Sequence, residues 1–112
     1  MEIMKSKVKF ADEKVKKSIK KLGNLKAENQ QLQKWIDRAF RDLEEDAFCG
    51  TQIPKKLFPK EYVRKYQIDN LWKYDLPNAW RLIYTVTKGE VLVFSVILEW
   101  MSHKDYEKRF KY

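Results

Sequence analysis

The period of the apolar positions changes along this chain, and the changes mark its elements. Lys5-Ser6-Lys7-Val8-Lys9-Phe10 alternates polar and apolar residues, which predicts a short edge strand with Val8 and Phe10 turned inward. From Glu13 to Leu22 the period lengthens: Val15, Ile19 and Leu22 recur at helical spacing, while Lys14, Lys16, Lys17, Lys20 and Lys21 occupy the other faces. Asp12 stands at the N-cap position and Gly23-Asn24 where a C′ glycine ends a helix. A longer helix is predicted from Leu25 to Asp46, with Leu32, Trp35, Ile36, Ala39, Phe40 and Leu43 as its stripe. Its acidic end, Asp42-Leu43-Glu44-Glu45-Asp46, opposes the helix macrodipole and predicts a fraying last turn. The connection between the helices is short, so they are expected as an antiparallel hairpin on one sheet face. A coiled coil is the competing assignment, but the stripe is too short to sustain one.

Phe48 to Pro59, broken by Gly50, Pro54 and Pro59, is expected to be an irregular linker. Pro59 to Tyr66 is expected to form a short helical turn with Pro59 at its N1 position. Strand patterning returns at Leu71-Trp72-Lys73-Tyr74-Asp75, and Pro77-Asn78 turns the chain into Trp80 to Val86, rich in β-branched and aromatic residues. A Lys88-Gly89-Glu90 turn leads to Val91 to Leu98, apolar at nearly every position, as in a central strand covered on both faces. Ser102 is placed to cap a last helix with Lys104, Lys108, Arg109 and Lys111 outward. The order β-α-α-β-β-β-α predicts an α+β fold: an N-terminal strand and an antiparallel helix hairpin packed on a largely antiparallel four-stranded sheet, with a short C-terminal helix.

Composition narrows the class. At 112 residues the chain is long enough for one domain and one core. Twenty-four Lys and Arg against 16 Asp and Glu leave a net charge of +8, which favours a polyanionic partner. A lone cysteine, Cys49, excludes an intrachain disulfide and a cysteine zinc cluster, and a reducing cytoplasm fits it best. No apolar run reaches membrane-spanning length and no signal peptide is evident, so no membrane association is expected. A single histidine makes no histidine-rich metal site, and there is no glycine-rich phosphate loop. No metal and no cofactor are expected.

The candidate chemistry lies late in the chain. Arg81 interrupts the apolar character at the start of one strand, and His103 and Tyr106 follow the end of the next. A hairpin around Gly89 sets the start of the first beside the end of the second. An arginine, a histidine and a tyrosine then converge at one sheet edge. Lys55, Lys56, Lys60, Arg64 and Lys65 are a dense basic group suited to RNA backbone contact. Each has a plainer reading. Arg81 would pair with Asp75 or Glu99, His103 would be a surface residue, Tyr106 and Phe110 would anchor a helix, and the lysines would be a solvated face.

The element order, together with Trp80-Arg81-Leu82-Ile83-Tyr84 and the tail His103-x-x-Tyr106, resembles the RelE/ParE toxin superfamily, small basic proteins of bacterial and archaeal toxin–antitoxin pairs. The resemblance covers most of the chain. It implies a metal-independent endoribonuclease acting on mRNA in the ribosomal A site, held in check by a cognate antitoxin protein. In this chemistry the ribose 2′-OH attacks the adjacent phosphate, leaving a 2′,3′-cyclic phosphate and a 5′-OH. Arginine suits the charge of the phosphorane, and histidine suits proton transfer near neutrality. By resemblance Arg81 stabilises the transition state, His103 is general acid or base, and Tyr106 orients the nucleotide or assists the proton. Lys73 matches a basic residue of the preceding strand. Asp75 stands where some relatives carry a second lysine, which either lowers phosphate affinity or supplies a carboxylate base. Arg109 lies in a tail where relatives also place functional residues. Two other outcomes stay open: a ParE-like or degenerate relative that binds a protein or RNA without cleaving, and a general basic RNA-binding protein.

Overall fold

The computed structural model describes residues 4–23 and 27–98. Strand β1 is Lys7–Phe10, helices α1 and α2 are Glu13–Gly23 and Ala27–Glu45, and β2 is Thr51–Gln52. Helix α3 is Lys60–Tyr66, and strands β3, β4 and β5 are Trp72–Asp75, Trp80–Thr87 and Glu90–Leu98. Single 3-10 turns occupy Lys55–Leu57 and Pro77–Ala79. The architecture is α+β. The five strands form one sheet in the order β1-β5-β4-β3-β2, with β1 parallel to β5 and the other pairs antiparallel.

The strand count corrects the expectation of four. Thr51 and Gln52, inside the segment expected to be irregular, pair with Lys73 and Trp72. Both are exposed, so β2 is held by backbone hydrogen bonds and carries no apolar alternation to announce it. The predicted C-terminal helix falls outside the described residues.

Asp12 caps α1 as its position predicts, accepting a hydrogen bond from the Val15 amide at 2.8 Å. The end of α2 does not fray as its charge would predict. The Ser6 amide donates to the Glu44 carbonyl at 2.9 Å, and the Ser6 hydroxyl donates to the Leu43 carbonyl at 2.7 Å. These bonds satisfy helix-terminal acceptors that would otherwise need water. The acidic groups are also engaged, Asp42 by the Tyr74 hydroxyl and Asp46 by the amides of Met4 and Phe48.

Both sheet faces are covered. The helix hairpin packs Ile19, Leu32, Ile36, Ala39 and Leu43 against Trp72, Leu82, Tyr84, Val91 and Val93. Val8 and Phe10 turn toward the same core, as predicted. On the opposite face Tyr62 of α3 joins Ile53, Leu71, Ile83 and Phe94. Val93 and Phe94 thus serve different cores, the two-sided burial expected of a central strand. The pairing passes from Ile83–Ser95 to Tyr84–Val93, which makes Phe94 the bulged residue of β5, and Tyr62 stacks on its ring at 4.6 Å between centroids.

Candidate active site on the α3 face of the sheet

Register decides which side chains meet. Asp75 lies opposite Arg81 and Lys73 opposite Ile83. Trp72, Tyr74, Leu82 and Tyr84 belong to the hairpin-side core, so the alternating positions Lys73, Asp75, Arg81 and Ile83 face the other way. That is the face α3 covers. Three residues singled out for phosphate chemistry therefore share one surface, and the short connection through Pro77–Ala79, which turns β3 into β4, is what aligns them.

Arg81 Nε lies 3.3 Å from Asp75 Oδ1, and their side chains are 15% and 66% exposed. The guanidinium is therefore withdrawn against the sheet while its carboxylate partner stays in solvent. A planar guanidinium offers donors in a fixed fork that matches carboxylate and phosphate alike. Asp75 thus occupies one edge of a group whose geometry also fits a phosphodiester. Lys73 is half-buried two residues away on the same strand face.

The basic residues of α3 and the turn before it divide into two kinds. Lys55, Lys56, Lys60 and Arg64 are exposed. Lys65 is tied down: its Nζ lies 2.8 Å from Asp12 Oδ2, which also accepts from the Tyr66 hydroxyl. The hydrogen bonds from Lys65, Tyr66 and the Val15 amide hold the Asp12 carboxyl far below the usual carboxylate range. Asp12 thereby joins the N-terminus of α1 to the C-terminal turn of α3.

β5 ends at Leu98 opposite Trp80, the neighbour of Arg81, which is the juxtaposition a hairpin around Gly89 requires. His103, Tyr106 and Arg109 lie outside the described residues. Among the described residues no group of His, Cys, Asp and Glu is arranged to hold a metal ion. No helix there is long and apolar enough to cross a membrane.

Several polar residues that shape this region carry no sequence signal of their role. The Asn70 side chain accepts from the Val86 amide at 2.9 Å and donates to the Val86 carbonyl at 2.9 Å. It continues the β3–β4 ladder where the backbone of Asn70 has turned to the Thr85 hydroxyl, and it also accepts from the Trp72 indole at 3.1 Å. The Tyr84 hydroxyl donates to the Ala47 carbonyl and accepts from the Gly50 amide, and burial pushes its pKa upward. Burial, then the hydrogen bond to Asp42, pushes Tyr74 up to about 12, so both phenols stay protonated near neutrality. No family model, curated protein or solved structure matches the chain.

Proposed function

We propose that the chain is a RelE-like toxin, a ribosome-dependent mRNA endoribonuclease neutralised by a cognate antitoxin. The observation that carries this reading is the placement of Lys73, Asp75 and Arg81 on the sheet face that α3 covers, a helix whose Lys60 and Arg64 are exposed. A phosphate entering that face exchanges Asp75 for its own oxygens on the Arg81 guanidinium, and Lys73 adds a point charge. The displaced Asp75 carboxylate is then free to accept a proton from an attacking hydroxyl. His103 is the general acid or base and Tyr106 the nucleotide-orienting group in this reading. The helix hairpin on one face and the antiparallel β3–β4–β5 unit agree with the element order on which the resemblance rests. The setting is the cytoplasm, with mRNA and ribosomal RNA as partners.

The Asp75–Arg81 pair favours a second reading, a relative that binds RNA or protein without cleaving, because a carboxylate here repels phosphate. Primer extension on a defined mRNA programmed into ribosomes separates the two, with ribosome-free mRNA as control. Discrete cuts in A-site codons that vanish in Arg81→Ala support the nuclease. Intact message at large protein excess refutes it.

A further inference from the structure

Helix α1 carries five lysines, Lys14, Lys16, Lys17, Lys20 and Lys21, against a single acid, Glu13. At 3.6 residues per turn Lys14, Lys17 and Lys21 line up in one row, and Lys16 and Lys20 in the next. Lys14, Lys17, Lys20 and Lys21 are exposed, and among the described residues none of the five forms an ion pair. Lys20 and Lys21 suit the negative end of the helix dipole, but Lys14, Lys16 and Lys17 stand near its positive end. The spacings Lys14–Lys17, Lys17–Lys21 and Lys16–Lys20 set like charges side by side, which weakens a helix. Only Lys20 and Lys21 gain from the helix dipole, so the row as a whole adds little to the stability of α1.

We propose that the α1 lysine row is a second nucleic-acid surface, one that grips the phosphate backbone of double-helical RNA. The row is straight and about 10 Å long by the helical rise, a span that several duplex phosphates fill. It offers point charges on an exposed helix face: Val15 and Ile19 turn into the core, and the exposed large hydrophobics among the described residues, Phe48 and Val63, lie elsewhere. An acidic peptide therefore finds no anchor for its side chains here, and a membrane surface finds no exposed apolar face. α1 packs on the hairpin side of the sheet, whereas Lys73, Asp75 and Arg81 face the α3 side. One strand seated at Arg81 cannot also lie along α1, so the two faces engage different nucleic-acid segments. This deepens the nuclease reading, in which structured ribosomal RNA docks on α1 while the message reaches Arg81.

The test is fluorescence anisotropy with a labelled RNA duplex of about 20 base pairs, across a potassium chloride series. The proteins are wild type, the triple variant Lys14→Gln, Lys17→Gln, Lys21→Gln, and Arg81→Ala. The triple variant is expected to lose roughly tenfold or more in affinity near 0.1 M salt. Its salt slope should fall by about 2 to 3, near 0.9 for each phosphate contact removed. Its melting temperature should match or exceed wild type, because like charges have been relieved. Arg81→Ala should keep duplex affinity while losing ribosomal cleavage. An unchanged slope and affinity in a folded triple variant overturns the proposal, as does tighter direct binding of labelled polyglutamate than of duplex. If wild type cleaves no message yet duplex binding depends on the lysine row, the nuclease reading fails and this surface stands.

Discussion

Replacing Asn70 by alanine should destabilise the domain far more than its position at the start of a strand implies. The truncation removes the partner of the Val86 amide, the partner of the Val86 carbonyl and the acceptor of the Trp72 indole. The buried Thr85 hydroxyl keeps the Asn70 backbone carbonyl at 2.7 Å, so it loses only its side-chain contact. At about 1 kcal/mol net for each orphaned group the loss comes to about 3 kcal/mol, reduced to about 2 where water reaches the half-buried site. For a domain of this size that is a fall in Tm of about 10 °C or more. Urea unfolding followed by tryptophan fluorescence measures it, since Trp72 and Trp80 report on the same sheet. Asn70→Asp sharpens the test by keeping the acceptor for Val86 and Trp72 while reversing the polarity toward the Val86 carbonyl. It should lie between wild type and alanine. Stability of Asn70→Ala within about 0.5 kcal/mol of wild type would refute the claim that this side chain stands in for a rung of the ladder.

Asp12→Asn retains a good N-cap but removes the charge that Lys65 and Tyr66 engage, and should cost about 1 kcal/mol near neutrality through the Tyr66 bond. Because the folded-state pKa of Asp12 is depressed, its contribution is present above the unfolded value of about 3.9 and fades as pH falls below it. Wild-type and Asp12→Asn stability curves measured by denaturation from pH 7 down to pH 2 should therefore run parallel above about pH 5 and draw together as the pH falls below about 3.9. Gly50→Ala should be strongly destabilising, by about 2 kcal/mol or more, because an added Cβ would sit 2.4 Å from the Lys73 carbonyl oxygen and 2.3 Å from the Tyr84 hydroxyl. A thermal melt equal to wild type would contradict that crowding. Lys88 holds a φ of 36° in the tight turn, so Lys88→Asn should stabilise by a few tenths of a kcal/mol to about 1 kcal/mol in urea titrations.

Elements with strong local periodicity are legible in the sequence. The α2 stripe, the Asp12 cap, the Lys88-Gly89 turn and the two-sided burial of β5 follow from spacing alone, because each is enforced by contacts within a few residues or by the need to bury a face. β2 was not readable. Two exposed polar residues become a strand only when the edge of β3 offers free backbone groups, and the chain does not announce that from a distance.

The site divides the same way. The sequence alone determined that Lys73 and Asp75 share a strand face, since alternation is local. Only tertiary structure set Asp75 opposite Arg81, joined Asp12 to Lys65 and Tyr66 across more than fifty residues, and made the Asn70 amide a rung of the ladder. Strand register is a one-residue choice made by the whole sheet. A polar side chain far along the chain acquires its partner only after that choice is made, so its role is a property of the fold and not of its neighbours in sequence.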